Sequence, residues 1–314
     1  MGMSSVSNLP IEDIPEQFVE IVAKIKLQQR DVRKTMLKII HNCFQNDVDS
    51  DRTIMEICEY MCFLSKDCYR TFFIYLIGTN VDIDNKELNL ISAVLEMINC
   101  CVMNKFALPD IENNDFIDKQ VSCHKKFGNG NTMMAIDAME SLALQTIYSN
   151  NNFFNEKQKC RLIEIINNYL GKDGVCGGQV MKMLCKKKKV YKDELTRIQQ
   201  MTFNAYFIAC IDCLNVILCY TQRQKNILRS YANNVCNLLC MLKPEKGFSK
   251  NTITENSLQK AKLFVEQGDK MVKNVKNQKL MQNFIEYIYY NIERKRDCSH
   301  DNSPTIVKSD VATL

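Results

Sequence analysis

A hydrophobic residue returns every three or four positions along almost the whole of this 314-residue chain, and only ten glycines and five prolines interrupt the pattern. That spacing lines one side of an α-helix, and a chain so poor in turn residues cannot make the many tight reversals of a β-protein. The reading is an all-α protein. Hydrophobic residues make up 46% of the chain, enough to build the core of one large domain and to exclude disorder throughout.

The breaks in the pattern place the elements. A first helical block runs from about Ile11 to Phe44 and ends in the polar stretch Asn46 to Asp51, which offers N-caps for the next helix. Further breaks are expected at Gly78 to Asp84, Leu108 to Asn131, Ser149 to Asn155, Gly171 to Gly178 and Lys243 to Glu255. Leu258, Ala261, Val265, Gly268, Val272 and Val275 fall on one helical face that must be buried. From Cys298 to Leu314 the period fails and Ser, Asp, Asn and Pro take over, so a mobile tail is expected.

Charge and cysteine usage exclude several classes. The chain carries 41 basic and 36 acidic residues, a net +5 too mild and too evenly spread for a nucleic-acid partner. The run Lys186 to Lys189 reads as a solvated loop, with nuclear targeting or attraction to an anionic membrane as the other reading. Met201 to Tyr220 is the most apolar long stretch, but Asn204, Asp212 and Asn215 would be costly in lipid; it reads as a core helix, and no transmembrane segment is expected. Met1-Gly2 is followed by Val6, where a myristoylation signal needs Ser or Thr.

Sixteen cysteines in a long chain without an apparent secretory leader imply reduced thiols and a cytoplasmic location. Cys58 and Cys62, Cys210 and Cys213, and Cys236 and Cys240 stand three or four apart. With only three histidines beside them, they read as small core residues instead of metal ligands.

Two stretches carry a resemblance. Leu108-Pro109-Asp110-Ile111-Glu112-Asn113-Asn114-Asp115, continuing through Cys123-His124-Lys125-Lys126-Phe127-Gly128 to Asp137, resembles the segment DDLPxMDNDDLRRGxPTxHKxFG of the short-chain trans-isoprenyl diphosphate synthases. Gly177-Gly178-Gln179-Val180-Met181 resembles that family's GGQxxD helix. Tyr60 to Tyr75 is similar to the stretch around GGKRxRP, and Glu96-Met97-Ile98 to the EMIH before the first aspartate motif.

The resemblance runs in order over residues 51 to 297 and implies an isoprenoid synthase-type helical bundle around a deep central cavity. Residues 1 to 50 are then an N-terminal helical extension and 298 to 314 the tail.

The family's reaction needs divalent ions, held by carboxylates on two facing helices, to take the charge of a departing diphosphate. Here the leading aspartate pair falls on Phe106-Ala107, the third acidic position on Glu112, and the arginine pair on Ile117-Asp118. Lys182 stands at the aspartate of GGQxxD, Thr202 at the lysine of the KT motif, and Lys243-Pro244 at the second aspartate pair. The last arginine of GGKRxRP survives as Arg70.

One carboxylate cannot build a cluster that needs three. If each lost ion bridge removes several kcal/mol of charge stabilisation, and each ~1.4 kcal/mol is tenfold in rate, synthase chemistry is lost. No catalytic residue, no metal site and no cofactor are expected, Mg²⁺ being required only if the chain is active after all.

Candidate substrate contacts are Arg70, His124, Lys125, Gln179, Lys182 and Lys243, the lysines offering a metal-free cationic pocket for a prenyl diphosphate. The expected function is a non-catalytic regulatory or specificity subunit in isoprenoid biosynthesis, in a homodimer or in a heterodimer with a catalytic prenyl diphosphate synthase. Cys58 to Cys62 and Cys236 to Cys240 also resemble the CxxxC patterns of plant geranyl diphosphate synthase small subunits. The alternatives are an active terpene-synthase-like or divergent prenyltransferase, and a module that binds an isoprenoid without reaction.

Overall fold

The computed structural model describes residues 14–44, 49–64, 69–79, 84–185, 191–242, 254–273 and 275–300. Thirteen α-helices are found among them: α1 (Glu16–Cys43), α2 (Asp49–Leu64), α3 (Tyr69–Gly78), α4 (Asn85–Ala107), α5 (Cys123–Phe127), α6 (Asn129–Ser149), α7 (Glu156–Leu170), α8 (Val175–Cys185), α9 (Lys192–Gln199), α10 (Ala205–Leu218), α11 (Gln222–Leu242), α12 (Glu255–Met271) and α13 (Gln278–His300). A π-turn, Gln200–Asn204, joins α9 to α10. The expectation of an all-α protein holds.

The helix α4 lies at the centre because it is apolar on nearly every side, from Leu88 to Ala107. The side chain of Asp84 caps its start by accepting from the Lys86 N–H at 3.0 Å. Helices α1, α2, α3 and α6 pack around it, and α10 touches it from the other side. α11, α12 and α13 form an outer layer that closes on α1 and α3 through rings, Phe18 against Tyr287 and Phe72 against Phe284.

Two described stretches are long and apolar enough to cross a membrane, Asn85–Ala107 and Asp193–Leu218; the first is 83% buried, as a core helix must be. The helix expected over Ile11 to Phe44 is α1, and Phe18, Ile21, Ile25, Val32, Met36 and Ile40 seat it in the common core. The breaks at Gly78, Ser149 and Lys243 coincide with the ends of α3, α6 and α11.

Two expectations need correction. The break around Gly171 to Gly178 closes early: α8 begins at Val175, so Gly177 and Gly178 are helical, as the likeness to the GGQxxD helix implied. The break from Leu108 to Asn131 is not plain loop. It holds a two-stranded antiparallel hairpin, β1 (Phe116–Ile117) with β2 (Gln120–Val121), and then α5. The tail expected from Cys298 lies mostly outside the described residues, and α13 continues to His300.

Candidate functional site

Leu108 precedes a proline, which disfavours helical backbone there, and α4 accordingly stops at Ala107 with Leu108 extended. The freed Leu108 carbonyl accepts hydrogen bonds from the N–H groups of Ile111, Glu112 and Asn113 at 3.0, 3.2 and 3.0 Å. This tight turn, with Asn113 in the left-handed region at φ 51°, turns Glu112 back toward α8.

Glu112 is met there by Lys182. The Lys182 ammonium donates to Glu112 Oε1 at 2.7 Å, Gln179 Nε2 donates to the same oxygen at 3.1 Å, and Asn114 Nδ2 donates to Oε2 at 2.9 Å. Side-chain exposure is 6% for Lys182 and 17% for Glu112, so this is a largely buried ion pair. Burial pushes the Glu112 carboxyl up, but the Lys182 contact and the two amide donors reverse that and hold it below the ordinary carboxylate value.

The two glycines make the meeting possible. A Cβ on Gly177 would stand 1.8 Å from the Lys172 carbonyl oxygen, and one on Gly178 would stand 2.8 Å from Met201 Cβ and from Thr202 Cγ2. They let α8 lie against the turn before it and against the π-turn, which sets the reach of Gln179 and Lys182 toward Glu112. Thr202 turns its hydroxyl back to the Ile198 carbonyl at 2.8 Å.

The other candidate residues fall into separate settings. The His124 ring nitrogen Nδ1 shares a 3.0 Å hydrogen bond with Ser122 Oγ, and Nε2 lies 3.9 Å from Asp115, which Lys125 approaches at 3.1 Å. Burial and the neighbouring Lys125 charge push the His124 pKa down, Asp115 opposing them, which favours the neutral ring. His124 and Lys125 are thus both gathered about Asp115. Lys243 and Pro244 lie outside the described residues.

Arg70 sits on α3, its guanidinium 5.3 Å from the ring centre of Phe203 and 5.8 Å from that of Tyr206. Tyr206 donates to the buried Glu96 at 3.3 Å, and Asn99 donates to the other Glu96 oxygen at 3.4 Å. This interior polar group was not foreseen in the sequence beyond the likeness at Glu96. A polar residue inside the apolar stretch of α4 is the signal that marks it. Around it rings pack edge-on, Phe73 to Phe207 and Tyr169 to Tyr206.

Whether Mg²⁺ suits the mouth can be judged from the donor set. A divalent ion needs several hard oxygens able to turn toward it. Both oxygens of Glu112 already accept hydrogen bonds, one of them from an ammonium, and the positions before it offer the ring of Phe106 and the methyl of Ala107. Among the described residues no group of three or more His, Cys, Asp or Glu is placed to hold a metal ion. The residues described at this position do not fit Mg²⁺.

No protein-family profile matches the chain. It is 28% identical over 182 residues to the farnesyl diphosphate synthase of Buchnera aphidicola subsp. Schizaphis graminum, covering 57% of this chain and 60% of that protein. To the farnesyl diphosphate synthase of Escherichia coli it is 26% identical over 160 residues, covering 50% and 53%. The matched stretches thus span less than two thirds of these relatives' length.

Among solved structures, a geranyltransferase from Legionella pneumophila superposes with a TM-score of 0.77 at 18% identity, covering 89% of this chain and 98% of that one. An FPP/GFPP synthase from Zymomonas mobilis superposes with a TM-score of 0.75 at 17% identity, covering 85% and 99%. The bundle is the all-α isoprenoid synthase fold.

Proposed function

Since the chain belongs to the trans-prenyl diphosphate synthase family, we propose that it is a non-catalytic member that works as a regulatory or specificity subunit of an active prenyl diphosphate synthase. The observation that carries this reading is the Glu112–Lys182 pair. Two positions that hold carboxylates in the family pattern are here joined directly, an ammonium standing against the remaining carboxylate at 2.7 Å. A diphosphate leaving group would find no oxygen-bound divalent ion between them, and one missing ion bridge removes several kcal/mol from the stabilisation of the departing charge.

The large buried rings of the interior support the same reading, Tyr206, Phe207 and Tyr231 standing at 0 to 1% exposure. Association is supported by the apolar residues left in water on the hairpin and on α6: Phe116 is 61% exposed, Met133 49% and Met134 56%. A cytoplasmic setting belongs to the proposal too, supported by fourteen described cysteines that are all free thiols.

The test is reconstitution. Mixed with a motif-intact prenyl diphosphate synthase, the protein should co-elute with it and change its rate or its product chain length. Separate elution together with unchanged kinetics and products contradicts the proposal.

A further inference from the structure

The exposed side of α1 carries a charge arrangement that none of the site residues share. Lys26, Arg30, Arg33, Lys34 and Lys38 line one surface groove of about 720 Å³, with His41 at its end and no carboxylate among its described lining residues. Five cations in one groove equal the net +5 of the entire chain, so the remaining surface is close to neutral on balance. The positions repeat every three or four residues, and from Lys26 to His41 they form a stripe roughly 22 Å long at 1.5 Å per residue.

The groove is also partly apolar. Leu37 lies in it, and Phe63 at the end of α2 forms part of its wall while remaining 44% exposed. The Arg33 guanidinium sits 4.9 Å from the centre of the Phe63 ring and donates to the Cys62 carbonyl at 3.1 Å, which fixes that wall. Asp31, 3.3 Å from Arg30, and Glu59, bonded to His41, border the groove without closing it. Among the described residues, Lys26, Lys34 and Lys38 have no ion-pair partner.

From this geometry we infer that the α1–α2 groove docks an acidic amphipathic helix of a protein partner. A straight cationic stripe at helical spacing matches carboxylates at i, i+3/i+4 and i+7 on a second helix lying alongside. Leu37 and Phe63 offer the apolar contact that a helix anchor uses and a bare polyanion does not. A membrane surface would call for a broad apolar face inserted among the acyl chains beside the basic one, whereas only Leu37 and Phe63 are apolar among the described lining residues here. The inference stands whether or not the chain is catalytic, since it uses neither Glu112 nor Lys182.

The test titrates the full-length protein with a fluorescent helical peptide that carries glutamates every third or fourth position and leucine and phenylalanine anchors. A sequence-scrambled peptide of the same composition, phosphatidylserine vesicles and a single-stranded oligonucleotide run beside it. The patterned peptide should bind, gain helicity, and lose affinity about tenfold or more on Arg30→Glu with Lys34→Glu and Lys38→Glu, and again with rising salt. These three positions face outward, and an unchanged melting curve verifies folding. If that variant is unstable, the Gln versions serve in its place, and Phe63→Ala should weaken the peptide separately. Equal binding of the scrambled peptide, equal binding by the reversed variant, or preference for vesicles or oligonucleotide overturns the inference.

Discussion

Glu112 and Lys182 are seventy residues apart in sequence and 2.7 Å apart in space. Removing one charge from a buried pair strands the other, so Lys182→Met alone should destabilise the protein by about 3–5 kcal/mol, whereas adding Glu112→Gln should recover most of the loss. Chemical denaturation of the two single variants and the double variant measures this directly. Additive losses would mean that the pair does not interact.

The pH dependence follows from the same carboxylate. Its pKa in the folded protein lies below the ordinary 4.5, so its contribution is complete above the unfolded value and disappears as pH falls through the folded one. The stability gap between the wild type and Glu112→Gln should be constant near neutrality and shrink below about pH 4.5. His124, also depressed, should titrate below its ordinary 6.5 when followed by NMR, with protonation opposing the fold.

Local elements carry strain and close contacts that can be tested in the same way. The hairpin turns through Asp118 and Lys119 at φ 44° and 69°, and both central positions of such a turn favour residues without a penalty there. In the family segment the glycine of RRG falls on Lys119, so this chain keeps the turn without the residue that suits it. Lys119→Gly should raise stability by about 0.5–1 kcal/mol, and Lys119→Val should lower it. Tyr60 donates to the Val121 carbonyl at 2.7 Å and holds the hairpin down, so the gain reports the turn itself.

Gly178→Ala should cost about 1–3 kcal/mol, because its methyl would meet Met201 Cβ at 2.8 Å. Gly130→Ala, with nothing within 4 Å, should be neutral or slightly stabilising in a thermal melt.

Taken together, much of the architecture was legible because helices of this length write their period locally. The ends of α3, α6, α11 and the start of α12 all follow from Gly, Pro, Asn and Thr at their boundaries. What could not be read is whatever depends on contacts between distant segments. The positions of Glu112 and Lys182 follow from the family resemblance, yet nothing local says that one grips the other. The hairpin was missed because its two-residue strands are too short to show alternation, and its turn lacks glycine. Gly177 and Gly178 stood at the end of an expected break and also at the start of the GGQxxD-like helix, and the helical reading holds because their missing Cβ atoms permit close packing.

Association belongs to this level as well. Sedimentation velocity should find a species larger than a monomer, and Met134→Glu on the exposed face of α6 should shift it toward the monomer. An unchanged distribution would move the contact elsewhere.

The replacement of a metal bridge by the Glu112–Lys182 pair is tested most directly by turnover. Purified protein supplied with Mg²⁺, isopentenyl diphosphate and an allylic diphosphate should incorporate no labelled isopentenyl unit above the enzyme-free blank. Incorporation that scales with protein and is abolished by chelating the metal would contradict it.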